Sequence, residues 1–455
     1  MFSGTDPGVD EGHRTDMFLG AMTDREFTVT DRGGSMHLRE CLEGLRGKKI
    51  AVLTFGCTFN QGDSRILERI LADLGCVLGC TVREADAVVV NTCTVVGITE
   101  RRMIRVLRAL HDKPLYVTGC MAQVQREEIL SVCNPVFLPL PSGAGIHQEG
   151  GPPLPYDVGI VQLGSGCQGS CTYCITRLAR GPLRSYPGNT ILADVRSAIR
   201  SGAAEIRLTA QDCSAWGQDT GESLPDLLAR IGEVPGTFRA RVGMMNPATI
   251  LPILDPLAES FGTDNVFRFA HIPVQSGSDR VLRRMGRMYS PEDVIGISCA
   301  LRRRNPDITL ATDIIVGFPG EEEDDVTSTI DLLNRMRPAK INITRYSPRP
   351  GTVAAMFDAP IDRVKKDRSR LVQYNAGKIY RQINRTLVGS THPVLVTERI
   401  RPGTVLARTA TYTGIVLEGD FSIGTELDAR ITEDRTYFFI GEPAGRMSPP
   451  GSSRS

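Results

Sequence analysis

Residues 164–174 read GSGCQGSCTYC. The stretch follows an apolar, β-branched run from Val158 to Leu163, so Cys167, Cys171 and Cys174 stand on a loop just past a strand. At C-x3-C-x2-C spacing, three thiolates hold three corners of an iron–sulfur cube. Cubes of this kind normally take four cysteines, which leaves one iron open to a ligand that is not protein. The competing reading is zinc. Tetrahedral zinc wants two ligand pairs, however, and the nearest histidine, His147, lies in a Pro/Gly-rich stretch without a paired ligand.

Strands and helices alternate on both sides of this loop. Upstream, β-like runs at Ile50 to Phe55, Ala87 to Asn91 and Leu115 to Thr118 are separated or followed by helical stretches, Ser64 to Leu74 and Thr99 to Leu110. That alternation predicts an α/β domain with a doubly wound parallel sheet over residues 47–140. A cysteine follows each run: Cys57 in TFGCTFN, Cys93 in NTCTV and Cys120 in TGCMA. Parallel strands end on a common edge, where ligands bind, so these three cysteines are expected to converge as a second site. The bland reading is three small buried hydrophobes; recurrence at the same post-strand position favours ligands. Cys76 and Cys80 lack a matching pair and are assigned to structure, as are Cys41, Cys133, Cys213 and Cys299.

Downstream, candidate strands Val158 to Leu163, Glu205 to Thr209, Phe238 to Gly243, Val266 to Ala270, Thr309 to Val316 and Ile341 to Tyr346 predict a partial (β/α)6 barrel over 156–383. Barrel chemistry sits on loops after the strands, here GSGCQGSCTYC, TAQDCSAWG, GMMNP, HIPVQSGSD, GFPGE and RYSPRPGT. Gln211, Asp212 and Gln275 project from those strand ends as cofactor-binding candidates, although strand-end polar groups also cap loops. His271 reads as a satisfied core histidine or a hydrogen-bonding neighbour of the site. The acidic run Glu321 to Asp325 reads as complementing a helix N-terminus. Residues 384–444 turn strand-like throughout and predict a small antiparallel β-barrel. Residues 1–46 read as a disordered or extended start in which Met36 is an alternative initiator, 141–155 as a Pro/Gly linker, and 445–455 as a disordered tail.

Composition sets bounds. A chain of 455 residues with 41% apolar content has room for several domains with sizeable cores. No run of about eighteen apolar residues predicts a membrane span, and the N-terminus lacks the apolar segment of a secretory signal, so a cytoplasmic location is expected. Twelve cysteines without an export signal then favour metal or redox use over disulfides. The net charge of +1 neither demands nor excludes a nucleic acid. Arg177, Arg180 and Arg184, close behind the cysteine loop, are the substrate-binding candidates. Arg101, Arg102, Arg105 and Arg108, at helical spacing, fit either a phosphate-facing stripe or a solvated helix face.

Cys57, Cys93 and Cys120 ahead of the CxxxCxxC loop, with Tyr173 before its last cysteine and a terminal β domain, resemble the methylthiotransferase branch of the radical S-adenosylmethionine enzymes over roughly Lys48 to Pro443. The resemblance implies an N-terminal methylthiotransferase domain, a radical barrel, a TRAM domain and two 4Fe-4S clusters. It gives Cys167, Cys171 and Cys174 the cluster that cleaves S-adenosyl-L-methionine to a 5'-deoxyadenosyl radical, and Cys57, Cys93 and Cys120 an auxiliary cluster that delivers sulfur. TFGCTFNQGDS (54–64), CTYCITRLARGPLRSYP (171–187) and RYSPRPGT (345–352) look most like the archaeal and eukaryotic tRNA branch. That branch acts on N6-threonylcarbamoyladenosine 37, beside the anticodon of ANN-decoding tRNA. Implied partners are the tRNA anticodon loop, a low-potential electron donor of flavodoxin or ferredoxin type, and a sulfur source. The alternatives are action on isopentenyladenosine 37 or a ribosomal-protein aspartate, or a non-catalytic iron–sulfur RNA-binding protein.

Overall fold

Runs of Val, Ile and Leu become the parallel strands β1 (Ile50–Thr54), β2 (Ala87–Thr92), β3 (Leu115–Gly119) and β4 (Val136–Phe137), which lie in that order. The computed structural model describes residues 34–95, 97–141 and 156–448; the expectations for 1–33, 142–155 (with His147) and 449–455 lie outside the described residues. Beyond the free edge of β1, Val77 forms a parallel bridge with Lys49, and Ile50 N donates to Val77 O at 2.9 Å. The chain therefore leaves β1 through α2 (Thr58–Asp73), lays Val77 on one side, and crosses to β2 on the other. Strand order reverses between β1 and β2, as in a doubly wound sheet with its switch point there. Each face has its own core. Ile50, Ala87 and Val89 pack with Leu67, Ile70 and Leu71 of α2. Ala51, Val88 and Val90 pack with Met103 and Leu107 of α3 (Gly97–Ala109).

The expected disordered start is corrected from Gly34 onward. Helix α1 (Gly34–Leu42) and a following 3-10 turn carry Leu38, Leu42 and Leu45, all fully buried, into the core with Ile50 and Leu67. Their i, i+4, i+7 spacing is helical, but Gly and charged residues around it mask the period. Likewise α2 begins at Thr58, not Ser64. Its first turns bury Asn60 and Asp63, polar residues that do not look like a core face until the neighbouring domain is present.

The second domain is six parallel strands, with a small ribbon set into the first crossover. Strand β5 (Val158–Gln162) is followed by the antiparallel ribbon of β6 (Gly164–Ser165) and β7 (Arg184–Ser185). Strands β8 (Glu205–Thr209) and β9 (Arg239–Val242) continue the sheet from β5, while β10 (Phe269–His271), β11 (Thr309–Val316) and β12 (Lys340–Arg345) form the other half. Bridges Ala240–Val266 and Met244–His271 stitch β9 to the β10 region, closing a six-stranded half barrel. Strand β10 starts later than the sequence predicts, because Phe269 N turns back to Phe267 O at 2.7 Å and interrupts the ladder. Alternation along β11 sends Leu310, Ile314 and Val316 to the helix-covered core and leaves Asp313 on the concave face. Helix α2 lies along the β5 edge, where Gln162 Nε2 donates to Phe59 O at 3.2 Å and to Asp63 Oδ1 at 2.8 Å. At the other edge the helix Asp362–Arg385 is tied to β12 through Tyr380 and Ile341.

Strands β13 (Thr391–Arg401), β14 (Thr404–Thr409), β15 (Gly414–Glu418), β16 (Glu426–Asp434) and β17 (Phe439–Ser448) close a barrel in the order β13-β14-β15-β17-β16. It is the expected antiparallel barrel, with one parallel pairing, β15–β17, where it closes. Strand β17 runs to Ser448, where it pairs with Glu426, so residues 445–448 are strand rather than disordered tail. The turn between β14 and β15 pushes Tyr412 against Phe267 and Phe269, with ring centroids 4.9 and 4.8 Å away. Its hydroxyl donates to Glu205 at 2.6 Å. Glu205 opens β8, so the terminal barrel seals the N-terminal end of the half barrel, opposite the cysteine loop. No helix among the described residues is long and apolar enough to cross a membrane.

Candidate active site: two cysteine triads

The loop bearing Cys167, Cys171 and Cys174 is pinned at its base. Gly166, at φ +82°, leaves no room for a Cβ beside Pro182 O, and Cys167 N donates to Gly181 O at 3.2 Å. Inside the loop Gly169 N donates to Cys167 Sγ at 3.2 Å. A Cβ on Gly169 would stand 3.3 Å from that sulfur and 3.7 Å from Cys171 Sγ, so the glycine keeps the cradle open. Neighbours grip Thr172 from two sides: its N–H donates to Met285 O at 3.0 Å, and its carbonyl accepts from Ala354 N at 2.9 Å. Burial pushes the Cys167 thiol up to about 11 and raises Cys171 as well, while Arg287 opposes the rise at Cys171. Arg287 is itself held by Tyr173, whose hydroxyl accepts from Nη2 at 2.7 Å.

At the other triad, the register of β1, β2 and β3 brings Cys57, Cys93 and Cys120 to one sheet edge, flanking the switch point. Cys57 caps α2, and Cys120 opens the short helix α4 (Cys120–Val124). Gly56 lies so near Cys93 that a Cβ there would be 2.7 Å from its Cβ and 2.8 Å from its sulfur. Gly119, at φ +92°, would collide with Thr92 O and Asn91 Oδ1. The Gly-Cys pairs at 56–57 and 119–120 are therefore steric requirements. Cys57 is exposed, while Cys93 and Cys120 are buried. Burial raises both buried thiols, Cys120 to about 11, and the Arg180 guanidinium opposes the rise at each.

Among the described residues no three His, Cys, Asp or Glu side chains gather closely enough for a single metal ion. A cube binds each thiolate at a different iron, so its ligands stand farther apart than those of one ion. Two all-thiol triads, each short of a fourth ligand, fit that chemistry.

Polar side chains the sequence did not single out join the triads. Asn60 Nδ2 donates to Phe55 O at 2.9 Å and Thr92 O at 2.8 Å, behind Cys57 and Cys93. Its Oδ1 lies 3.9 Å from both Cys57 Sγ and Cys120 Sγ. Arg349, from RYSPRPGT, pairs with Glu100 of α3, and its charge opposes the rise at Cys93. A polar residue in the first turn after a cysteine is the one sequence signal that points to Asn60.

The proposed cofactor residues divide. Gln211 Oε1 accepts from Gly166 N at 2.8 Å and so fastens the cysteine loop. The buried Asp212 carboxylate accepts from Ser214 Oγ at 2.8 Å, Thr249 Oγ1 at 2.9 Å and Asn246 N at 3.1 Å, which engages it fully in holding loops. Gln275 is buried at φ +70°, with its backbone bonded to β11 and its side-chain amide without a partner among the described residues. A non-glycine residue held there is a mark of a functional constraint. Beside it His271 Nε2 meets Asp313 Oδ1 at 3.1 Å, and Asn342 donates to the same oxygen at 2.7 Å. His271 thus belongs to the mouth of the half barrel.

The three arginines behind the loop also divide. Arg177 is exposed, with Nη1 donating to Gly169 O at 2.9 Å, and Arg184 is exposed on β7. Arg180 is turned inward, its side chain 1% exposed and paired with Asp63 at 2.6 Å, which corrects its assignment to a tRNA-facing surface. The six-residue helix Ile175–Arg180 has room for one buried face, and Arg180 lies on it.

Residues 49–138 match the family described as Uncharacterized protein family UPF0004, residues 161–333 the Radical SAM superfamily, and residues 385–444 the TRAM domain. Over 405 residues the chain is 37% identical to the "Probable threonylcarbamoyladenosine tRNA methylthiotransferase" of Methanothermobacter thermautotrophicus, covering 82% of this chain and 94% of that one. A protein of the same name from Archaeoglobus fulgidus is 36% identical over 425 residues, covering 88% and 99%. The "Threonylcarbamoyladenosine tRNA methylthiotransferase" of Drosophila melanogaster is 34% identical over 432 residues, covering 87% and 77%.

Proposed function

Because the chain belongs to the threonylcarbamoyladenosine tRNA methylthiotransferases, we propose that it converts N6-threonylcarbamoyladenosine 37 of tRNA to its 2-methylthio derivative. The family carries an iron–sulfur cluster and S-adenosyl-L-methionine; our finer reading is two 4Fe-4S clusters, on Cys167, Cys171 and Cys174 and on Cys57, Cys93 and Cys120. One observation carries it: two thiol triads, each without a fourth ligand among the described residues, stand on adjoining ends of a doubly wound sheet and a half barrel. When bound, these groups supply the radical that opens an aromatic C–H bond, which no acid or base side chain does at neutral pH, and the sulfur that replaces the hydrogen.

The chain's own residues bind and orient. Gln211 fastens the loop that carries the first triad, Asp212 ties the neighbouring segments at Ser214, Asn246 and Thr249, and the Gln275 amide, without a partner among the described residues, is offered to S-adenosyl-L-methionine at the mouth. Arg177 and Arg184 are exposed beside the first triad, as candidates to meet the anticodon loop of ANN-decoding tRNA. A low-potential electron donor of flavodoxin or ferredoxin type, a sulfur source and a cytoplasmic location complete the proposal.

The test is mass spectrometry of tRNA nucleosides from cells with and without the gene. Loss of the methylthio group from threonylcarbamoyladenosine, restored by wild type but not by Cys57→Ala or Cys171→Ala, is expected. Retention of the modified nucleoside, with a ribosomal-protein aspartate unmodified instead, would reject the substrate. Anaerobic protein should hold about eight irons, and the triple alanine variant at Cys57, Cys93 and Cys120 about half of that.

A further inference from the structure

Arg180 joins the two triads through a short rigid path. The helix Ile175–Arg180 is capped by Cys174, and the residue after it, Gly181, accepts from Cys167 N at 3.2 Å, so both ends are fixed to the first triad. Six residues of helix span about 9 Å. From the far end, Arg180 Nη2 donates to Asp63 Oδ2 at 2.6 Å and to Asn60 Oδ1 at 3.0 Å, and its guanidinium stacks 4.3 Å from the Phe59 ring centroid. The same Asn60 oxygen lies 3.9 Å from Cys57 Sγ and from Cys120 Sγ. Arg180 Nη1 is buried with no oxygen or nitrogen to accept from it, and the guanidinium reaches the Cys120 thiol, on which it acts by charge and by hydrogen bond. A structural ion pair satisfies its donors, because an orphaned buried donor costs about 1–3 kcal/mol.

We propose that Arg180 is a positioning residue that fixes the second triad against the first and sets a permanent positive charge beside the second cluster. The inference rests on the two-cluster reading above. Three thiolates and a cube carry net negative charge, and cluster potentials follow net charge and hydrogen bonding around the sulfurs. Arginine keeps its charge at every working pH. Asp63, paired with Arg180 Nη2, holds the guanidinium in place and offsets part of that charge at Cys120.

The test is an anaerobic redox titration of the holoenzyme, followed by electron paramagnetic resonance, in wild type, Arg180→Gln, Arg180→Lys and Asp63→Asn. Arg180→Gln is expected to move the second cluster's midpoint potential to more negative values and Asp63→Asn to more positive ones. Arg180→Lys should stay near wild type, and the first cluster should hold its potential in all variants. Arg180→Gln should also raise the ratio of 5'-deoxyadenosine released to tRNA methylthiolated by about tenfold or more, since a hydrogen bond to a charged group is worth about 1.5–3 kcal/mol. Shifts of equal sign in the Gln and Asn variants, no shift, or both clusters moving together would overturn the proposal. Should Arg180→Gln fail to fold, the sign of the Asp63→Asn shift decides. A wild-type protein with a single cluster signal and half the iron would instead defeat the two-cluster reading.

Discussion

Gly119 is the residue on which the second triad turns. Its φ of +92° and its closeness to Thr92 O and Asn91 Oδ1 exclude a side chain, so Gly119→Ala must shift the backbone that aims Cys120. A strained residue of this kind costs on the order of 1–3 kcal/mol. The expected outcome is a folded protein that keeps the iron of the first triad and loses that of the second, read by iron analysis and a modest drop in thermal midpoint. Undiminished iron would reject a steric role. These cysteines are legible in the sequence because each of three successive strands is followed within three residues by a cysteine. Arg180 is not. Arg177, Arg180 and Arg184 look alike as text, and only the docking of α2 decides that the middle one meets Asp63. Asp212 misleads for a related reason: its partners Ser214, Asn246 and Thr249 come from two loops that only the fold brings together.

Helix α3 shows what a single element adds. Met103 and Leu107 face the sheet, while Arg101, Arg102, Arg105 and Arg108 are exposed and, among the described residues, pair with no carboxylate. Gly97, in the helix's first turn, lies against Arg349 and Arg101, so the stripe begins next to Cys93 and the second domain. An unneutralised row of guanidinium groups leading from a triad fits an RNA backbone better than a merely solvated face. Replacing Arg101, Arg105 and Arg108 by Gln is expected to weaken tRNA binding. The slope of log K against log salt should flatten by about 0.7–0.9 for each phosphate that the variant no longer neutralises. An unchanged slope would return α3 to a solvated face. Legibility at this scale follows periodicity. The strands of both sheets are readable as β-branched runs, whereas α1 and the Val77 bridge are not, since a nine-residue helix in polar surroundings and a single bridge leave little pattern. The parallel pairing of β15 with β17 is a property of closure, invisible in either strand alone.

At the scale of the molecule, the order of three domains is readable from shifts in pattern, but the end at which the last one docks is not. That docking depends on side chains some two hundred residues apart in sequence: Arg408 Nε donates to Glu205 at 2.7 Å, and Arg207 bridges Glu205 and Glu398. Breaking such a buried pair from one side costs about 3–5 kcal/mol. Lys340, the first residue of β12, sits in the same junction with its ammonium 5.8 Å from the Phe269 ring and 5.4 Å from that of Tyr412. Burial pulls its pKa down to about 8, and repulsion from Arg408 and Arg241 adds to this, with Glu205 opposing. Below about pH 8 the ammonium is charged in both the folded and the unfolded chain, and the folded state bears the full cost of holding it. Between about 8 and the ordinary lysine value of 10.5, the unfolded chain binds more protons than the folded one, so stability rises with pH across that window. Lys340→Met removes the charge while keeping an apolar stem in its place. The variant is expected to unfold at a higher temperature than wild type at pH 7, with the advantage shrinking steadily from pH 8 to 10.5, as scanning calorimetry of the full chain would measure. A difference that stays constant across that range would mean that the ammonium already reaches water, and that the terminal barrel closes the half barrel more loosely than Tyr412 and Arg408 imply.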